Sequence, residues 1–594
     1  MNGVVLTLLA LILGALLVAG VAEALWPARL HRHWGYATAW LAATAALLCL
    51  ATLVLDPASA TLRLPIGLPG RAFRLTLDPP SALFGMLVFT AGAAASAFVV
   101  QTKQAEAPII PLPVSIAALG LAVLAGDSLA RGFGIALAGF GLWTHASAAH
   151  RPYALLAIVL LAAASVIVGD ELPPSARMIA LLIGPGALAA LLAFQSHRLA
   201  PHAGAMLAGA MIPTALYCML RLLVAQPGPT RIWWSVPFLL LGSAQMLMAN
   251  ADSLSRPEID TALAGCAARQ TGLVAIGFGL VLAARAADLP GAGATAMAAV
   301  LLLAALQAFG GTLLPLIAGA IESGAGTRRL NRLGGLIHPM PVSAACLLVS
   351  LANLSALPPG GGFAALWLLF QSVLAVPRAG PPLFQLILLL AVAGMGLGAA
   401  LSSAALVRLA GVVCLGRPRT PRAAAASEVP FPARRLMLAL AGGMTAVGIF
   451  IGPLLRLVFD APVRSLSGVG LRSYATITGL AAGDETPGYP ALPVAVLLVM
   501  AGGTIIWLCR RARRSTGTLT GPTWNDGFSA PPAWLPFGDP LTQSGGAAFA
   551  PLSYPLPRLV LERPRLPRVR TPALVLAVVA VSLLLYAWKA AQWR

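Results

Sequence analysis

Residues 295–321 read TAMAAVLLLAALQAFGGTLLPLIAGAI, and no charged side chain interrupts the run. As an α-helix rising 1.5 Å per residue it extends about 40 Å, more than the roughly 30 Å of bilayer hydrocarbon. Backbone groups in lipid must find their partners inside the segment, so a run of this kind is a membrane helix. Similar runs recur outward in both directions. Towards the N-terminus they fall at about 4–25, 36–55, 81–100, 111–126, 129–148, 153–169, 176–195, 204–225, 233–250 and 262–285. Towards the C-terminus they fall at about 340–357, 363–377, 384–412, 434–458, 491–509 and 572–590. The reading is an all-α polytopic bundle of about 14–17 transmembrane helices. A transmembrane barrel would show short alternating segments instead. The first run lacks a basic leader and is too long for a signal peptide, so it reads as a retained helix.

Composition agrees. Of the 594 residues 59% are hydrophobic and 10% charged, against roughly a quarter charged in soluble domains. The net charge of +20 sits in loops, as expected for the cytoplasmic side of a membrane protein. Basic stripes with interleaved aromatics are absent, so nucleic acid is not an expected partner. Arginine clusters at 29–33, 328–332, 413–435 and 510–571 read as cytoplasmic, with an external N-terminus. Three regions are expected: N-terminal helices with an external loop over 1–110, core helices over 111–412, and C-terminal helices over 413–594. The loop 56–80 carries strand-like pieces at Thr61–Leu64 and Phe73–Leu77. The Pro/Gly-rich stretch 510–571 reads as an extended loop. The run Pro358, Pro359, Gly360, Gly361, Gly362 either separates two spans or breaks one in mid-membrane.

Few residues suggest chemistry. Six cysteines lie scattered without a CxxC pair, so neither a disulfide framework nor a metal site is indicated. No nucleophile–base constellation, phosphate loop, or haem, flavin or iron–sulfur ligand set is visible, so no cofactor is expected and catalysis has no support. Charge inside the membrane is costly and marks candidate sites. Arg131, Arg221, Arg269 and Arg285 lie in or beside apolar runs, where they either snorkel, pair structurally or act as electrostatic anchors. Glu258 and Asp260 precede a span and either attract cations or cap its N-terminus; Asp127 has the same capping reading. His338 reads as an interfacial residue at a helix start. Gly394, Gly396 and Gly398 read as close helix packing.

Several ordered motifs carry a resemblance. Arg332-Leu-Gly-Gly-Leu-Ile-His338-Pro-Met-Pro341, then Ser355-Ala-Leu-Pro-Pro359 and Gly362-Phe363, is similar to the helix start and helix break of the antiporter-like membrane subunits of complex I. The nearest branch is the group of hydrogenase-4 component B and formate hydrogenlyase subunit 3. Leu64-Pro-Ile-Gly-Leu-Pro69 with Leu77-Asp78 and Ser81-Ala82 resembles its first external loop. Ala210-Met-Ile-Pro-Thr-Ala-Leu-Tyr217 with Leu220-Arg221 resembles its central helix, and Thr523-Trp524, Gly527 and Ala548–Leu552 its C-terminal loop. The resemblance implies inverted repeats, broken helices, partner subunits of a hydrogenase or complex I-like assembly, and proton or cation translocation coupled to electron transfer in those partners. It also implies an inner-membrane location.

Translocation of that kind needs titratable groups buried at mid-membrane. The positions where the family carries them fall here on Gly134, Leu182, Pro213, Gly311 and Leu366, and a family histidine falls on Gln307. The chain has only two lysines, Lys103 and Lys589, so no central span contains one. The expectation is a degenerate, mainly structural member. An active path through Glu258, Asp260, Arg269, Gln307 and His338 is the alternative, and a lipid-linked substrate transporter with a wet central cavity is a further one.

Overall fold

The computed structural model describes residues 2–25, 31–68, 71–102, 111–145, 199–223, 231–376, 381–471, 488–515 and 537. The expected spans at 153–169, 176–195 and 572–590, Leu182, both lysines and most of the 510–571 loop lie outside the described residues. Helices follow the apolar runs: α1 (Asn2–Leu25), α2 (His31–Leu55), α3 (Pro79–Gln101), α4 (Pro111–Leu124) and α5 (Ser128–His145). The chain continues with α6 (Pro201–Met206), a π-turn (Leu207–Met211), α7 (Ile212–Leu223), α8 (Val236–Ser255), α9 (Ile259–Ala286) and α10 (Pro290–Ala325). Then come α11 (Pro341–Leu354), α12 (Gly361–Ala375), α13 (Pro382–Leu409), the short α14 (Pro421–Ala424), α15 (Phe431–Ile449), α16 (Ile451–Leu454), α17 (Asp460–Ser467) and α18 (Ala491–Ser515). Among the described residues nine helices are long and apolar enough to cross a membrane, or ten if the helix broken at Phe450 is one span.

The loop 56–80 forms one antiparallel hairpin, β1 (Ala60–Leu68) with β2 (Arg71–Leu77), pairing Ala60 with Leu77 and Leu68 with Arg71. It leads directly into α3. Asp78 caps that helix, accepting from the Ser81 amide while the Ser81 hydroxyl accepts from the Asp78 amide. Such a reciprocal box satisfies two orphan donors at the helix start. The Asp127 carboxylate accepts from the Arg74 amide at 2.7 Å and ties the hairpin to the start of α5.

One boundary differs from the sequence reading. Helix α18 runs on to Ser515, so Arg510, Arg511, Arg513 and Arg514 sit on its last turns and not in a loop. Cations at a helix C-terminus complement its dipole. A Cβ added at Gly398 would press on Met246 and one at Gly394 would lie 3.5 Å from Ser243, whereas one at Gly396 would meet nothing within 4 Å among the described residues. The glycine packing reading therefore holds for two of the three.

The Pro358–Gly362 ambiguity is settled by which turns of α10 the flanking helices meet. Met340 lies against Gly324, Leu354 against Gly310, and Gly361 against Leu306. Ser372 donates to the Ala292 carbonyl at 3.1 Å. Helices α11 and α12 thus run as one path antiparallel to α10, and together they match its length. Each alone, at 14 and 15 residues, is too short to span about 30 Å. They are one membrane crossing broken near its middle.

A candidate mid-membrane polar site

Three helices depart from α geometry at one depth, around residues 307–312 of α10. The first is the π-turn. Pro213 has no amide hydrogen, and the Ile212 amide bonds to Leu207 instead of Ala208. The Ala208 carbonyl therefore has neither its i+4 nor its i+5 donor, as the loss of a proline amide dictates. Gln307 supplies one: its Nε2 donates to the Ala208 oxygen at 2.9 Å. The second is the break between α11 and α12. Asn353 holds it, accepting from the Gly361 amide at 3.2 Å and donating to the Val349 carbonyl at 3.0 Å and the Thr445 hydroxyl at 3.4 Å. The third is the 89° bend between α15 and the helix that begins at Ile451. Gly448, just before that bend, meets the break so closely that an added Cβ would lie 2.5 Å from the Pro359 oxygen.

Glycines let these backbones touch. A Cβ at Gly311 would lie 2.4 Å from the Ala208 oxygen, and one at Gly209 would lie 2.0 Å from the Thr312 hydroxyl. A Cβ at Gly134 would lie 2.6 Å from the Ala118 oxygen and 2.8 Å from the Ala122 nitrogen. Where the resemblance places a charged side chain, backbone meets backbone. Pro213 shapes the π-turn, and Leu366 is a buried apolar residue of α12.

Arg269, Gln270 and Gln307 are buried at this depth, at 1%, 0% and 1% exposure. Helices α9 and α10 form an antiparallel hairpin with a column of facing positions seven residues apart. A Cβ at Gly293 would lie 3.7 Å from that of Ala284, one at Gly277 would lie 2.5 Å from Val300, and Leu263 and Leu314 line one cleft. Seven residues are close to two helical turns and return to the same face. Gln270 and Gln307 occupy the intervening step of that column, so they face one another across α9 and α10. The Arg269 Nη2 has no hydrogen-bond partner among the described residues. Gln270 was not legible as a candidate in the sequence, since one neutral amide in an apolar run carries no motif.

The remaining expected residues lie elsewhere. Asp260 accepts from the Thr261 amide at 2.8 Å and from Arg328 at 2.9 Å. Arg328 also reaches Glu322 at 2.5 Å. Burial works against the Arg328 cation, but Glu322 and Asp260 outweigh it and raise its pKa. Glu258 holds the N-cap position of α9 without a side-chain cap bond; the capping expected of it falls to Asp260. Glu258, Glu322 and Arg328 border an open basin of about 660 Å³, also lined by Arg329 and Arg332. Beneath it, a cleft of about 50 Å³ runs from Asp260 and Arg328 past Leu263, Ala267, Leu314 and Pro315. His338 is exposed in the turn before α11 and apart from the glutamine pair. The structure thus places Glu258 on the basin and Asp260 on the cleft beneath it, joined by Arg328, which lines both, and sets Arg269 and Gln307 deeper, on different faces.

At the opposite end of the bundle Asp78 pairs with Arg221, whose Nε donates to the Tyr217 hydroxyl at 2.9 Å. Burial pushes the Asp78 carboxyl up, but the Arg221 guanidinium and the Ser81 bonds bring it below its ordinary value. Arg131 donates to the Ala125 carbonyl at 3.1 Å. Arg285 is exposed at the end of α9. Among the described residues no group of His, Cys, Asp and Glu could hold a metal ion.

Residues 177–394 match the family described as NADH:quinone oxidoreductase/Mrp antiporter, TM. The chain is 26% identical over 390 residues to hydrogenase-4 component B of Escherichia coli, covering 64% of this chain and 58% of that protein. It is 25% identical over 316 residues to formate hydrogenlyase subunit 3 of Escherichia coli, covering 51% of this chain and 50% of that protein. The matches thus span between half and three-fifths of these relatives. A chain of the archaeal membrane-bound sulfane sulfur reductase, a respiratory membrane complex, superposes with a TM-score of 0.70 at 19% identity, covering 96% of this chain and 99% of that one. That likeness shows the fold.

Proposed function

Starting from a multi-pass membrane protein related to the antiporter-like subunits of complex I and hydrogenase-4, we propose a mainly structural role. The chain would anchor or extend the membrane arm of a hydrogenase, formate hydrogenlyase or complex I-like assembly in the cell inner membrane. Electron transfer would take place in partner subunits. The observation that carries this reading is the contact at Gly311, where a Cβ would lie 2.4 Å from the Ala208 oxygen. A proton path needs a group that exchanges protons at the middle of the membrane. A backbone–backbone contact fills the place where the resemblance puts a lysine. Amides such as Gln270 and Gln307 do not titrate, and arginine stays protonated. The bundle keeps its packing and its partner surfaces without the desolvation cost of several buried charges.

The test is proton flux in vesicles holding the purified chain, followed with an entrapped pH-sensitive dye under an imposed potential. Leakage no faster than in protein-free vesicles is expected. Robust flux that disappears in Asp260→Asn, Glu258→Gln or Arg269→Met variants would establish active translocation instead. That second reading draws support from the basin at Glu258 and the cleft beneath it at Asp260.

A further inference from the structure

The glutamine pair is chemically incomplete. Among the described residues Gln270 has no partner at Nε2 or Oε1, and Gln307 has none at Oε1. Both side chains are at least 99% buried, in a region where an unpaired polar group is strongly disfavoured. They stand on two different helices and face the same step of the α9–α10 column. The unmet atoms are one amide nitrogen, which carries two N–H groups, and two carbonyl oxygens. A sodium ion would satisfy the carbonyls and leave the donor stranded. Water can accept from the amide and donate to both carbonyls, and buried waters commonly make about three such bonds. Exchanging O and N within the Gln270 amide leaves this inventory unchanged.

We infer that Gln270 and Gln307 hold buried water at mid-membrane, in a neutral site beside the π-turn. The Gln307 amide that bonds the Ala208 carbonyl links this water to the π-turn. Pro315 adds to the polarity, since its missing amide withdraws the usual helical donor from the Gly311 carbonyl. Access is short: Ala267 lines the cleft below Asp260, and Gln270 lies three residues, about 4.5 Å of helix rise, further along α9. This inference is independent of whether the protein conducts protons, because the site contains no group that titrates.

The experiment is high-resolution electron cryomicroscopy of the full chain in lipid nanodiscs. A density peak within hydrogen-bond distance of the Gln270 amide and Gln307 Oε1 is the expected result. A direct Gln270–Gln307 bond with no peak would overturn the inference, as would a peak ringed by oxygens at metal-ion distances. A stability cycle gives a second readout. Gln270→Leu and Gln307→Leu should each lower the unfolding midpoint by a few degrees, because each strands the other amide. The double variant should lose less than the two losses combined. Strictly additive losses would overturn it. Flux measured on the same preparation keeps the two questions apart. Water without flux supports both, flux with water overturns only the structural role, and neither water nor flux overturns only this site.

Discussion

At Gly311, Gly209 and Gly134 the decisive feature is a missing side chain. Two helices can meet backbone to backbone only where no Cβ intervenes, and small residues serve that purpose across membrane helix interfaces. Restoring a charge at such a place should therefore fail. Gly311→Lys is expected to destabilise by about 1–3 kcal/mol through overpacking alone, with a further ~2.5–3.5 kcal/mol for a lysine at the membrane centre. Differential scanning fluorimetry in detergent checks the first, and unchanged vesicle leakage checks that no conduction returns. At Asp78 the expectation concerns pH. Its folded pKa lies below the ordinary one of about 3.9. Its contribution is thus fully present above about pH 4 and is lost as pH falls through the lower folded value. The unfolding midpoint should drop on acidification below about pH 4, and more steeply than in Asp78→Asn. Parallel curves for the two proteins would count against the pairing with Arg221.

At the scale of elements, three interruptions share one depth. The π-turn, the α11–α12 break and the bend after α15 each free backbone groups that lipid cannot satisfy. Side chains meet the first two: Gln307 serves the Ala208 carbonyl and Asn353 the Gly361 amide, while at the third Gly448 lets its helix close over Pro359 and Gly361. Asn353→Ala removes the bond to Gly361 and the one to Thr445. A loss of about 1–2 kcal/mol is expected. Hydrogen exchange should speed up at Gly361 and Gly362 and stay unchanged in α10. The sequence displayed the prolines and glycines of the break but left open whether they joined two spans or divided one. Only the matching of turns along α10 decided it, since a local signal carries no information on what lies alongside.

Over the whole molecule, buried and lipid-facing surfaces sort the cysteines. Cys49, Cys218, Cys266, Cys346 and Cys414 are buried, whereas Cys509 is exposed on α18. A membrane-permeant maleimide should label one thiol per folded chain and six after denaturation, counted by intact mass. More than one under native conditions would mean the bundle is looser than described. Helix α18 itself exposes Val496, Leu497, Val499, Met500, Ile505 and Ile506, a surface suited to lipid.

By itself the sequence determined the bundle class, the positions of most of the described helices, the strand-like pieces of the first loop and the absence of lysine from the central spans. These depend on composition and on runs long enough to cross a membrane, which are local properties. Tertiary structure alone decided that α11 and α12 are one crossing, that Gly311 lies against a carbonyl, and that Gln270 faces Gln307. Those facts depend on which turn of one helix meets which turn of another. Close packing fixes that register through contacts between residues far apart in the chain.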